Sequence, residues 1–163
     1  MPEINIRKAA ETDKYAYADC FISCFQTAYR GIVPDDYLQN LSNEREQRAD
    51  RLLRYLEIPE LAVFCLMRES KMIGFLILHL SNGEIWAIYL LEELRGKGYG
   101  KAAMNFAIDE LKCAGHTTIS LWVLAENERA KRFYDKYGFY FSGETRENTN
   151  YGKLLAQHKY VLN

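Results

Sequence analysis

The sequence predicts one α/β domain whose sheet is mixed but mostly antiparallel, with about seven strands. Three observations carry that expectation. Apolar residues recur at three and four positions before Pro59, then alternate or run together after it. Two tight-turn signals, Arg68-Glu69-Ser70-Lys71 and Asn82-Gly83, separate three apolar runs, which are therefore antiparallel neighbours. A helical stripe from Gly98 to Ala114 lies between two β-rich runs, and that strand-loop-helix-strand order favours a parallel pair. At 163 residues the chain has the length of one domain.

The elements follow in order. Glu3 to Arg7 is a short strand with Ile4 and Ile6 on one face. Thr12 or Asp13 caps a helix reaching about Tyr29, with Ala18, Phe21, Ile22, Phe25 and Tyr29 on its stripe, and Gly31 ends it. Pro34 starts a short helix, and Ser42 caps a third that runs through Leu52, Leu53 and Leu56 to Pro59. Leu61 to Met67, Met72 to Leu80 and Glu84 to Leu91 are the antiparallel strands. The helix from Gly98 packs Met104, Ala107, Ile108 and Leu111, with Gly115 at its stop. Thr117 to Leu124 is the parallel strand. Asn127 caps a last helix, along which Ala130, Phe133, Tyr134 and Tyr137 repeat before Gly138. Phe139 to Phe141 and Leu154 to Leu162 close the sheet around a polar loop, Gly143 to Gly152.

Composition excludes several functions. The formal charge of -1 gives no global attraction to nucleic acid or to an anionic membrane, so any anionic ligand must be held locally. No apolar run approaches the ~20 residues that cross a bilayer, and the first fourteen residues have no apolar signal core. A cytoplasmic location is the default expectation. The four cysteines lack CxxC spacing and read as reduced thiols; Cys20 and Cys24 share a helix face without a nearby histidine, so no metal site is expected.

The most informative segment is Arg95-Gly96-Lys97-Gly98-Tyr99-Gly100, between a strand and a helix. Glycines there permit positive φ and close approach of a ligand, while free N-H groups of the first helical turn converge on an anion. Phosphate binding is the reading. A Walker loop fails, because Arg95 stands where its first glycine belongs and Ala102 where Ser or Thr belongs. A Rossmann fingerprint fails at Lys101.

The chain resembles the GNAT superfamily of acetyl-coenzyme A-dependent acyltransferases. Arg95, Gly98 and Gly100 match its cofactor loop, and Asn127, Ala130, Phe133, Tyr134, Lys136, Gly138 and Phe139 match its second motif. The resemblance covers roughly Leu61 to Leu162. It implies helices on both faces of the sheet and two central strands that splay, so that the pantetheine arm pairs with Ile88, Tyr89 and Leu90 like a missing strand. It also implies that the amides of Arg95, Gly96, Lys97, Gly98, Tyr99, Gly100 and Lys101 hold the pyrophosphate. Arg95 to Lys136 carries eight Lys or Arg against five Asp or Glu, and Lys97, Lys101 and Arg132 are candidates to add charge. Asn127 either touches the arm or only caps its helix.

The implied chemistry is transfer of an acetyl group from acetyl-CoA to an amine by direct attack. Glu84, eleven residues before Arg95, matches the position of a catalytic glutamate in some members and would act as base directly or through water. Tyr134 matches the family's acid and lies on an apolar stripe as well. The Leu90 amide would steady the thioester oxygen. His79, His116 and His158 show no nucleophilic pairing and read as structural. Acceptor specificity falls to Tyr29 to Tyr37 and to Gly143 to Tyr151, where Asp35, Asp36, Glu144 and Glu147 offer attraction to a cationic amine. Small-molecule amines, amino acids, aminoglycosides and peptide amines all stay open. So does a homodimer through the final strand or a helix. The rival class is a non-catalytic acyl-CoA sensor, which would not need Glu84 or Tyr134.

Overall fold

β1 (Asn5–Lys8), β2 (Leu61–Arg68), β3 (Lys71–His79), β4 (Glu84–Leu90), β5 (Ile119–Leu124), β6 (Tyr140–Asn148) and β7 (Leu155–Leu162) form one sheet. Their order is β1-β2-β3-β4-β5-β7-β6 in the computed structural model, which describes residues 3–163. Every pairing is antiparallel except β4 with β5. The helices are α1 (Lys14–Ala28), α2 (Asp35–Asn40), α3 (Arg45–Leu56), α4 (Tyr99–Cys113) and α5 (Glu128–Asp135). Among the described residues, no helix is long and apolar enough to cross a membrane.

The helices cover both faces, and the register says why. Phe75 packs against Tyr17 and Phe21 of α1, at ring separations of 4.9 and 6.1 Å. Phe64, the register partner of Leu76, meets Phe106 of α4 at 4.9 Å. Leu76 and Phe75 are adjacent, so their side chains point to opposite faces. With both faces covered, β2 and β3 are near-continuous apolar runs instead of alternating ones.

Several local expectations are corrected. Asp13 does not cap α1 with its side chain; its carboxylate turns back to accept from Arg7 and from the Ala10 N-H, at 2.7 to 2.9 Å. Ser42 sits in a 3-10 turn, Leu41–Asn43, and α3 starts only at Arg45. Cys20 and Cys24 lie in the main core with their sulfurs 3.9 Å apart.

The largest correction is β6. Instead of three residues it runs for nine, through Gly143 and most of the expected polar loop. As one of the sheet's two edge strands it is exposed on almost every residue, so it lacks the apolar alternation that reveals a strand. Gly143, at φ +91°, lies in the stretch between Phe141 and Thr145 where the register shifts.

Candidate functional site

The parallel pairing of β4 with β5 stops after two residue pairs, Glu84 with Ser120 and Ile85 with Leu121. Beyond Ile85 the strands diverge. An irregularity in β4 helps: Leu78 faces Ile85 and Ile77 faces Ala87, leaving Trp86 as an extra residue. Further along, the Leu91 N-H donates to the Ile73 carbonyl at 2.9 Å, so residues of its parity bond to β3. Leu90 and Ile88 have the opposite parity and turn their N-H and C=O groups into the gap. Tyr89 faces β3 through its backbone, close enough that a Cβ on Gly74 would collide with its carbonyl. Its side chain turns to α1, where its hydroxyl bonds to that of Tyr29 at 2.6 Å.

After β4 the chain passes a 3-10 turn, Glu92–Leu94, and enters the glycine segment. Gly96 and Gly98 have φ of +75° and +94°, which only glycine adopts freely. Gly98 is the N-cap of α4 and supplies no side chain to its first turn. The first-turn amides of Tyr99, Gly100 and Lys101 have no acceptor within the helix, and the first α-helical bond is from the Ala102 N-H to Gly98. At Gly100 a Cβ would come within 3.2 Å of the Phe133 ring, so the absent side chain lets α5 close over the segment.

Gap and glycines open into one cavity of about 720 Å³. Arg95, Lys101, Arg129, Arg132 and Lys136 line it, and among the described residues no carboxylate does. That concentrates positive charge, in a chain of net charge -1, where the free amides converge. The Arg95 guanidinium donates to Thr27 at 3.1 Å. Burial and the neighbouring Arg129 charge lower its affinity for its proton. An anion bound there would relieve that repulsion.

The structure brings most of the sequence-predicted residues to this cavity, including Ile88, Tyr89, Leu90, Gly96, Gly98, Gly100, Asn127 and Tyr134. The side chains of Lys97 and Tyr99 lie outside its lining: Lys97 is exposed, and the Tyr99 ring is buried in the core. Asn127 caps α5 by accepting from the Ala130 N-H at 3.2 Å. Burial pushes the Tyr134 phenol up to about 12, against the opposing charge of Arg129. It is therefore a neutral hydroxyl at physiological pH.

Glu84 lies one residue beyond the lining, half-buried, in register with both His79 and Ser120. Burial raises its pKa above the ordinary carboxylate value, while Arg146, His79 and Lys159 oppose the rise. The acids expected to draw a cationic amine do not converge. Glu144 pairs with Lys159 at 3.3 Å, and Glu147 has the opposite parity on β6 and points to the other face of the sheet. Asp36 accepts from the Tyr37 N-H on its own helix, and Asp35 sits exposed in that helix's first turn.

Sequence reasoning missed Arg129 and placed Lys136 in the second motif without giving it a part in the cavity, although with Arg132 they recur at three and four along α5 and its C-cap and so share a face. It also missed Trp86 and Trp122, which line the cavity from the α1 side together with Tyr29, the first residue of the expected acceptor segment. No local pattern marks the two tryptophans.

The sequence model of the acetyltransferase (GNAT) family matches residues 25–139, well over half the chain. An uncharacterized N-acetyltransferase of Bacillus subtilis, YuaI, is 27% identical over 144 residues, covering 82% of this chain and 79% of that protein. One from Methanocaldococcus jannaschii is 30% identical over 131 residues, 74% of this chain and 55% of its own length. Among solved structures, the PaiA N-acetyltransferase of Thermoplasma acidophilum in complex with coenzyme A superposes with a TM-score of 0.75. It is 22% identical and is covered to 98%, against 96% of this chain. A GCN5-related N-acetyltransferase of Rhodopseudomonas palustris reaches 0.79 at 14% identity, with 99% of this chain and 96% of that one covered. At such identities the likeness speaks for the fold alone. Because the matched sequence pattern spans both the parted strands and the glycine segment, the chain belongs to the acetyltransferase (GNAT) family.

Proposed function

We propose that the chain transfers an acetyl group from acetyl-CoA to a primary amine by direct attack within a ternary complex. One observation carries this: the unpaired backbone of Ile88 and Leu90 opens beside a cation-lined cradle of free amides. The cradle suits a pyrophosphate and the open edge suits the amide-bearing arm that follows it.

Each residue then has a task. The Arg95 N-H, expected in the cradle, is instead bonded to the Glu92 carbonyl at 3.2 Å, so the amides of Gly96 to Lys101 grip the diphosphate, with the side chains of Arg95, Lys101, Arg129, Arg132 and Lys136 supplying charge. The Leu90 N-H, directed into the gap, stabilises the oxygen of the tetrahedral adduct as negative charge develops there. A lysine-like amine of pKa about 10.4 must lose its proton to attack, a cost of about 4.6 kcal/mol at pH 7. Glu84 accepts that proton through water, since it lies just outside the lining. The amine nitrogen forms its bond to the carbonyl carbon, the carbon-sulfur bond breaks, and Tyr134 donates its proton to the departing thiolate. As the adduct collapses to the amide its nitrogen sheds a second proton to solvent, and solvent re-protonates the phenolate left behind.

The test is release of coenzyme A thiol from acetyl-CoA over a panel of primary amines. Acceptor-dependent release is expected. Tight binding of the thioester with no release for any amine would overturn the enzyme reading in favour of a sensor.

A further inference from the structure

We propose that the acceptor is an amine that also carries an anionic group, and that Arg146 holds that group across the mouth of the gap from Glu84. The inference rests on the amine-acetylating reading above and adds the acceptor's second charge.

The sheet register places the residues. Glu84 is opposite Ser120 on β5, and Trp122 lies two residues further on the same face. Trp122 is opposite Lys159 on β7, and Gln157, two residues away, is opposite Arg146 on β6. By strand order Arg146 is three strands from Glu84. Its side chain closes most of that distance. The guanidinium carbon lies 4.2 Å from the centre of the Trp122 ring, and Nε donates to the Gln157 side-chain oxygen at 2.6 Å. The guanidinium therefore lies against a side chain of β5, the strand next to β4, held by the Trp122 ring on one side and a hydrogen bond on the other.

What it lacks is an acid. Among the described residues no carboxylate lies within 4.0 Å of Arg146, and Glu144 on its own strand is taken by Lys159 at 3.3 Å. Its two terminal nitrogens, the pair that forks onto a carboxylate or phosphate, are left for a ligand. Trp122, beneath the guanidinium, and Trp86, on the same side of the sheet, both line the cavity, so the cation borders the reaction space. The Arg146 charge also reaches Glu84, where it is the largest influence opposing burial.

A simple cationic amine meets a fixed positive charge at this mouth and gains nothing from it. An acceptor with both charges places its nitrogen toward Glu84 and its anion on Arg146. One strand spacing across and two residues along the strand amount to roughly 8 Å, which suits a short acceptor. Amino acids and aminoalkyl phosphonates share this chemistry.

Two matched pairs test it in the thiol-release assay: L-phenylalanine against L-phenylalaninamide, and 2-aminoethylphosphonate against ethanolamine. At least one anionic member is expected to be acetylated. Arg146→Gln is expected to lower kcat/KM for that member tenfold or more relative to its neutral partner, mainly through KM, and Arg146→Lys is expected to restore part of it. Calorimetric titration with coenzyme A checks that the variant folds, because Arg146 does not line the cofactor cavity. Whichever pair responds identifies carboxylate or phosphonate as the anion. If only the neutral amines react, or if Arg146→Gln leaves the anionic-to-neutral ratio unchanged, the proposal is wrong while the acetyltransferase reading stands. Absence of turnover with every amine sinks both.

Discussion

The two sides of the gap between β4 and β5 are made of different materials. On the α4 and α5 side the distinctive groups are backbone, free amides after Gly98 and the turned-out groups of Leu90 and Ile88, rimmed by basic side chains and, among the described residues, no acid. On the α1 side it is side chains drawn from distant parts of the chain, Tyr29, Trp86, Trp122 and, above them, Arg146. A backbone surface suits a ligand common to a whole family, because almost any side chains can carry it. A side-chain surface changes with single substitutions, which is what acceptor choice requires.

If the contrast holds, changes on the two sides move different quantities. The largest effect is expected on the backbone side. Gly98→Val forces a β-branched residue into φ +94°, and acetyl-CoA affinity by calorimetry should fall tenfold or more. Unchanged affinity would mean that the cradle does not depend on this turn.

Next comes Tyr134→Phe, which should lower kcat about tenfold while coenzyme A affinity stays within about twofold, since the ring that lines the cavity is kept. Wild-type turnover would remove Tyr134 from the mechanism.

A smaller, pH-dependent effect belongs to Glu84. Burial raises its pKa above the ordinary 4.5, and only the ionised form accepts a proton. The acid limb of kcat/KM should therefore lie above that value, flatten in Glu84→Gln, and move to higher pH in Arg146→Gln, which removes the cation opposing the rise. A group raised on folding favours the folded state at low pH and loses that contribution as pH climbs through its folded pKa. Glu84→Gln should consequently not destabilise the protein at neutral pH in urea titration.

Smallest is Tyr29→Phe, which removes one partner of the 2.6 Å bond to Tyr89. A loss of about 1 kcal/mol of stability is expected, with coenzyme A affinity unchanged. A drop in that affinity would show that the α1 side takes part in donor binding after all.

How legible each part was follows the same division. Gly96 and Gly98 were readable because positive φ has a residue preference, and Tyr134 because its spacing from Asn127 and Gly138 is local. The antiparallel run of β2, β3 and β4 followed from turn residues and apolar period. By contrast β6 was hidden, since an exposed edge strand carries no apolar alternation. Arg146 looked like one more charge in a polar loop. Its partners Trp122 and Gln157 lie 24 and 11 residues away and meet it only through pairing with β7.

Alone, the chain's order of residues was enough to settle where backbone must bend, which runs pack inward and which loop offers amides to an anion. Those are short-range matters of torsion and period. Only folding decided that β4 and β5 part after two pairs, that five cations share one cavity, and that Arg146 lies over Trp122. Such juxtapositions join residues distant in sequence; the stack of Arg146 on Trp122 depends on register across the sheet, where a shift of one residue would have sent either side chain to the opposite face.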